Sequence, residues 1–185
     1  MMNSRYHSIA ILLHWLTALG VFALIGTGLY MVNIDISRAD QFKLYQWHKA
    51  AGVVVLNLVI LRMLVRLFVK PPRLPQSLSA DHQRIAGLGH IVLYAALFMI
   101  PISGWFMVSA SPFGLPTFVF VDWIKWPHIP FVERNETVET IANWTHMLLA
   151  YTAILLILGH ILAVFYHKRT HQLNLLRRMW WSREQ

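Results

Sequence analysis

Residues 146 to 160 read HMLLAYTAILLILGH, a histidine at each end of thirteen residues among which only the phenol of Tyr151 can ionise. At roughly 100° and 1.5 Å per residue, a helical spacing of 14 puts His146 and His160 within roughly 40° of one face and roughly 21 Å apart along the axis. One helix thus carries an imidazole near each surface of a hydrocarbon layer about 30 Å thick. Ala150 and Ala153, on the face between them, leave room beside each ring for something flat.

That stretch belongs to one of four similar segments. Ile9 to Val32, Trp47 to Val69, Ile85 to Ser109 and Ile141 to Tyr166 each reach the roughly 20 residues a helix needs to cross a bilayer. The chain has 185 residues, 57% hydrophobic and 13% charged, with a mean hydropathy of +0.50, which leaves little for a soluble domain. The pattern predicts an all-α fold, an integral membrane four-helix bundle. Residues 1–185 form one domain in this reading, with helices near 9–32, 47–69, 85–109 and 141–166. The first segment is too long for a signal-peptide core and no A-x-A site follows it, so it reads as a retained helix. Proline and glycine in KPPRLPQSLSADHQR (70–84) and SPFGLP (111–116) punctuate the ends of the second and third spans. The aromatic runs FVFVDWIKWPHIPF (118–131) and RRMWWS (177–182) read as anchors at the headgroup level.

Cytoplasmic flanks collect Lys and Arg. With both termini inside, Arg5, Arg62, Arg66, Lys70, Arg73, Arg84, Lys168, Arg169, Arg177, Arg178 and Arg183 fall at or near the inner face. Arg38, Lys43, Lys49, Lys125 and Arg134 fall outside, with Asp35, Asp40, Asp122, Glu133, Glu136 and Glu139. The formal charge of +8 therefore suits anionic lipid headgroups and gives no argument for nucleic acid. The chain has no cysteine, which excludes disulfides, thiolate-held iron–sulfur clusters and covalently attached haem; any haem is held non-covalently.

Depth sorts the histidines. The second and fourth spans both start from the outer side, so His48 lies in the outer layer with His146. His14, a few residues into the first span, lies at the depth of His160 near the inner side. Two imidazoles facing each other across a helical bundle are what a six-coordinate b-type haem requires. Gly52, Ala18 and Gly28 supply small residues near the proposed ligands. Arg62 and Arg66 follow His48 by 14 and 18 residues and repeat its face at the inner level, within reach of haem propionates; Lys49 serves the outer level similarly. His90 enters the third span at the same depth as His14 and His160, and spacing leaves it open as an inner ligand. His7, His82, His128, His167 and His171 fall at interfaces or in loops, where solvation is the default reading; His167, seven residues beyond His160, is also a candidate for lining an inner pocket.

LHW (13–15), WHKAAGVVVLNLVILRMLVRL (47–67), GHIVLYAALFMIPISGW (89–105), the His146 and His160 pair and NLLRRM (174–179) together resemble the bacterial cytochrome b561 family, small four-helix di-haem proteins of the inner membrane. The resemblance implies two haems b, one ligated by His48 and His146 and the other by His14 and His160. It implies electron transfer between an outer-face donor and membrane ubiquinone. It also extends to superoxide oxidases, which pass an electron from superoxide to ubiquinone. Many members follow the first histidine of the fourth helix with glutamate, where this chain has Met147.

Three functions compete. The first is an oxidoreductase of the superoxide:quinone type, with quinone near His14, His90, Arg62, Arg66 and His167 and with Lys49 and Lys125 attracting a small anion. The second is a haem-bearing anchor subunit that receives electrons from a hydrogenase or dehydrogenase partner. The third, a metal or proton transporter, normally needs intramembrane carboxylates, and the four apolar segments contain none.

Overall fold

A hydroxyl or amide stands just ahead of each of three long helices and accepts from an unpaired N–H of the first turn. Ser37 accepts from the Asp40 amide at 3.2 Å, Ser79 from the His82 amide at 3.4 Å and Asn135 from the Val138 amide at 3.1 Å. These caps start α2 (Arg38–Phe68), α3 (Ala80–Ala110) and α4 (Glu136–Thr170); α1 (Ser8–Asn33) follows His7, and a single turn, α5 (Leu175–Arg178), lies near the C-terminus. The computed structural model describes residues 5–72, 78–119 and 123–181. Arg73, Asp122 and Arg183, part of the charge pattern above, lie outside the described residues.

The helices run past the apolar stretches. α2 begins at Arg38 rather than Trp47, and α4 at Glu136 rather than Ile141. Their first turns are polar and capped, so they continue the helix without adding to its hydropathy. All four long helices are apolar enough to span a membrane. Between α3 and α4, β1 (Thr117–Val119) pairs antiparallel with β2 (Ile124–Trp126), Phe118 opposite Lys125. This hairpin was not part of the all-α reading and forms only a small cap on a helical bundle.

The distribution of side chains is that of a protein in lipid. Leu19, Leu67 and Leu155 are 70%, 76% and 70% exposed, whereas the hydroxyl of Thr17 is enclosed and donates to the Leu13 carbonyl at 2.6 Å. In lipid, apolar exposure costs nothing, and a polar group needs an internal partner. The closest helix pairs are α3 with α4 and α1 with α2, followed by α2 with α3. Gly20 permits the α1–α2 approach: a Cβ there would stand 2.7 Å from Val55 Cγ2. α1 with α4, and α2 with α4, are not among the closely packed pairs.

The described chain ends meet at one end of the bundle. The Tyr6 amide donates to the Arg178 carbonyl at 3.1 Å, and the Trp15 indole donates to the Met179 carbonyl at 2.8 Å. The short connection at residues 34–37 and the hairpin strands lie at the other end.

Candidate functional site

At the hairpin end, His48 of α2 faces His146 of α4, with ring centroids 6.3 Å apart. At the terminal end, His14 of α1 faces His160 of α4 at 6.5 Å. An imidazole nitrogen bonds a metal at roughly 2.0–2.1 Å. The nitrogen stands roughly 1 Å from its ring centroid, so two imidazoles on opposite sides of one metal have centroids roughly 6 Å apart by the same bond length. Both pairs fit that spacing. Each also joins two helices that are not closely packed, as a group held between them requires, since ordinary helix packing at roughly 8–10 Å leaves no space for it.

The hairpin-end rings are oriented by their other nitrogens. His146 Nδ1 lies 2.9 Å from the Ile100 carbonyl, which can only accept, so this nitrogen carries the proton and Nε2 keeps a free lone pair. Ser103 Oγ spends its proton on the same Ile100 carbonyl at 2.7 Å and lies 3.2 Å from His146 Nδ1. His48 Nδ1 lies 3.2 Å from Thr27 Oγ1, whose own proton goes to the Ala23 carbonyl at 2.9 Å; the hydroxyl therefore accepts from His48. Second partners of this kind set the tautomer of a metal-binding histidine. Two glycines make room: a Cβ at Gly104 would stand 3.2 Å from His146 Cε1, and one at Gly28 would stand 3.4 Å from His48 Cε1.

At the terminal end the polar contacts differ. Arg62 Nη2 donates to His14 Nδ1 at 3.1 Å, and a guanidinium cannot accept, so the neutral ring's proton sits on Nε2. Arg62 and Arg66 both lie over the Tyr94 ring, at 5.1 and 5.7 Å from its centroid. A small cleft there is lined by Tyr6, Arg62, Arg66, Tyr94 and Met179. His90 also stands by His160, at 5.8 Å, but it comes from α3, the helix packed most closely on α4. Its Nδ1 donates to the Ala86 carbonyl at 2.7 Å.

The sequence-derived residues therefore gather at two levels, His48 with His146 at one, and His14, His160, His90, Arg62 and Arg66 at the other. Of its two expected places, His167 takes the one outside the inner group and stands with His82 and His171. Lys49 Nζ donates to the Pro116 carbonyl at 3.2 Å and ties α2 to the segment before the hairpin. At Gly52 a Cβ would meet nothing within 4 Å. Thr27, Ser103, Gly104 and Tyr94 escaped the sequence reading. Thr27 and Ser103 sit far along the chain from the histidines they contact, and only the IPISGW run marked a break in the apolar pattern of α3.

Comparison with known proteins identifies the family. The family described as prokaryotic cytochrome b561 matches residues 5–182. Cytochrome b561 homolog 2 of Escherichia coli (strain K12) is 29% identical over 176 residues, covering 95% of this chain and 90% of that protein. Cytochrome b561 homolog 1 of the same organism is 23% identical over 176 residues, covering 95% and 97%. The match spans nearly the whole chain and the helices are membrane-spanning; the protein belongs to the prokaryotic cytochrome b561 family and is a haem b-containing electron-transfer protein of the bacterial inner membrane.

Proposed function

We propose that this chain binds two haems b, one between His48 and His146 and one between His14 and His160, and carries electrons from superoxide at the outer face to ubiquinone near the inner face. The observation that carries this reading is the pair of facing imidazoles at each of two depths, at centroid distances of 6.3 and 6.5 Å. Haem supplies a one-electron carrier at each level when bound. In the net reaction two superoxide anions each lose one electron and leave as dioxygen, while one ubiquinone gains two electrons and two protons and leaves as ubiquinol.

The residues present divide the remaining work. Ile100 and Thr27 hold Nδ1 of the hairpin-end rings and leave Nε2 of each with its lone pair. Ligation through Nε2 of His14 requires the ring's proton at Nδ1, so Arg62 must turn away from that nitrogen. The freed guanidinium would then be available to a propionate carboxylate as a charge-assisted partner. Arg66 and Tyr94 beside it offer donors to a quinone carbonyl in the cleft toward the terminal end. His90, its Nδ1 proton committed to Ala86, offers Nε2 as an acceptor for a quinol hydroxyl. At the other end, Lys125 is exposed and Lys49 is half-buried. Both attract an anion, against the acids Asp35, Asp40, Glu133, Glu136 and Glu139 around them.

The activity is tested on the purified di-haem protein with a superoxide source and ubiquinone. Absorbance reports reduction and reoxidation. The screening length falls from about 30 Å at 0.01 M salt to about 8 Å at 0.15 M, so reduction by superoxide should slow severalfold across that range. It should slow further in Lys125→Glu and Lys49→Glu. Arg66→Ala should slow reoxidation by ubiquinone about tenfold or more while two haems per chain remain. If superoxide leaves the intact protein oxidised while a hydrogenase or dehydrogenase reduces it, the chain is a haem-bearing anchor subunit.

The reading also requires both termini in the cytoplasm, where most Lys and Arg then lie. Alkaline phosphatase fused after Gln185 should be inactive, and a fluorescent protein that folds only in the cytoplasm should be bright at the same position. The opposite result would exchange the two faces.

A further inference from the structure

Three histidines outside both haem levels form a triangle at the terminal end of the bundle. His82 lies in the first turn of α3, His167 in the last turn of α4, and His171 caps α4. Their ring centroids are 5.6 Å apart for His82 and His167, 5.5 Å for His82 and His171, and 5.4 Å for His167 and His171. At metal–nitrogen bonds of roughly 2.0–2.1 Å, three imidazoles spread around one ion have their centroids roughly 5–5.5 Å apart. The near-equal sides match that figure.

A second observation points the same way. His167 Nδ1 and His171 Nε2 are shielded from solvent yet have no hydrogen-bond partner. Shielded ring nitrogens without partners are destabilising, and a shared cation would satisfy both. His82 Nδ1, by contrast, contacts Ser79 Oγ at 3.2 Å; with that hydroxyl as acceptor, Nδ1 carries the proton and Nε2 is open to a ligand. Tyr166 stands in T-shaped contact with His167 and His171, at centroid distances of 5.5 and 5.9 Å.

We infer that His82, His167 and His171 form a binding site for a late first-row divalent cation of the zinc or copper class, joining the start of α3 to the end of α4. Three imidazoles without a carboxylate select that class over calcium or magnesium. As they stand, the ring nitrogens do not converge on one point, and among the described residues no such group is gathered at bonding distance. Closure therefore needs rotation of half-buried rings about their side-chain bonds. Lys168, Arg169 and Arg84 add positive charge nearby, and Asp81, which faces Arg84 at 3.8 Å, offsets part of it. The site is independent of the haem ligands, since His167 lies about two helical turns, roughly 10 Å, beyond His160.

The test uses the full-length haem-loaded protein, purified without a polyhistidine tag and stripped with a chelator, with Zn²⁺ as the probe. Titration against a chromophoric chelator should show one zinc per chain. Alanine at His82, His167 or His171 should each weaken binding by about 100-fold, as removal of one of three protein ligands requires. The haem spectrum should not change. His171→Cys, which keeps a zinc ligand at that position, should restore binding. Cu²⁺ in the same site should show nitrogen couplings in its electron paramagnetic resonance spectrum, lost in the alanine variants. His7→Ala and His128→Ala should bind zinc as the parent does. Zinc that binds only at millimolar concentration, or binds as tightly after His171→Ala, overturns the proposal.

Discussion

Replacing His146 with alanine should lower the haem content of the purified protein from two per chain to one, and His48→Ala should do the same. The expected loss is complete at that level because each ring is the sole imidazole its helix offers there. Neither ring has a substitute within its own turn: Met147 follows His146, and Lys49, which follows His48, is held by the Pro116 carbonyl. Gly104→Val should reproduce the loss without removing a ligand. Its Cβ would crowd His146 Cε1 at 3.2 Å, and the ring cannot retreat without breaking its bond to the Ile100 carbonyl. Haem is counted per chain by pyridine haemochrome, and the remaining group should keep its reduced-band position. Full stoichiometry after a combined His146→Ala and His160→Ala replacement would sink the two-site reading.

At the other level the expected result separates two histidines that helical spacing alone leaves equivalent. His160→Ala and His14→Ala should each reduce two haems to one, whereas His90→Ala should keep both. The physical reason is the distance between helices rather than between rings. His90 is 5.8 Å from His160, close to the 6.5 Å of His14, yet α3 and α4 are the most closely packed pair, and a flat group between their histidines would force them apart. α1 and α4 are already separate. Loss of the inner haem in His90→Ala with retention in His14→Ala would transfer the ligand role to His90 and assign Arg62 and His14 to the quinone.

The four spans were legible because the length of an apolar run is set by the bilayer and needs no tertiary information. The ends of the helices were less so. Hydropathy cannot register the turns from Arg38 to Gln46, whereas Ser37, Ser79 and Asn135 marked the starts by capping chemistry. The depth of each histidine followed from counting along a helix, which is why His48 and His146 were grouped correctly at one level. Which ring faces which depends on how helices pack, and periodicity carries no such signal. The same limit hid Thr27 and Ser103, which set ring tautomers from neighbouring helices. It also hid the close company of His167 with His82 and His171, which arises from the meeting of α3's start with α4's end.

The separation of α1 and α2 from α4 also bears on how the protein is made. α1 with α2 and α3 with α4 are the tight pairs, and each can enter the bilayer as a self-sufficient hairpin with its backbone hydrogen bonds complete. Between the hairpins α2 packs on α3, and the two rows of imidazoles span the remaining gap to α4. Insertion by the translocation machinery and supply of cofactor are thus separable steps, the second locking together halves that the first delivers side by side. A cell short of haem would accumulate inserted but loosely joined hairpins, and membrane quality control would meet this protein as an assembly intermediate rather than as an unfolded chain.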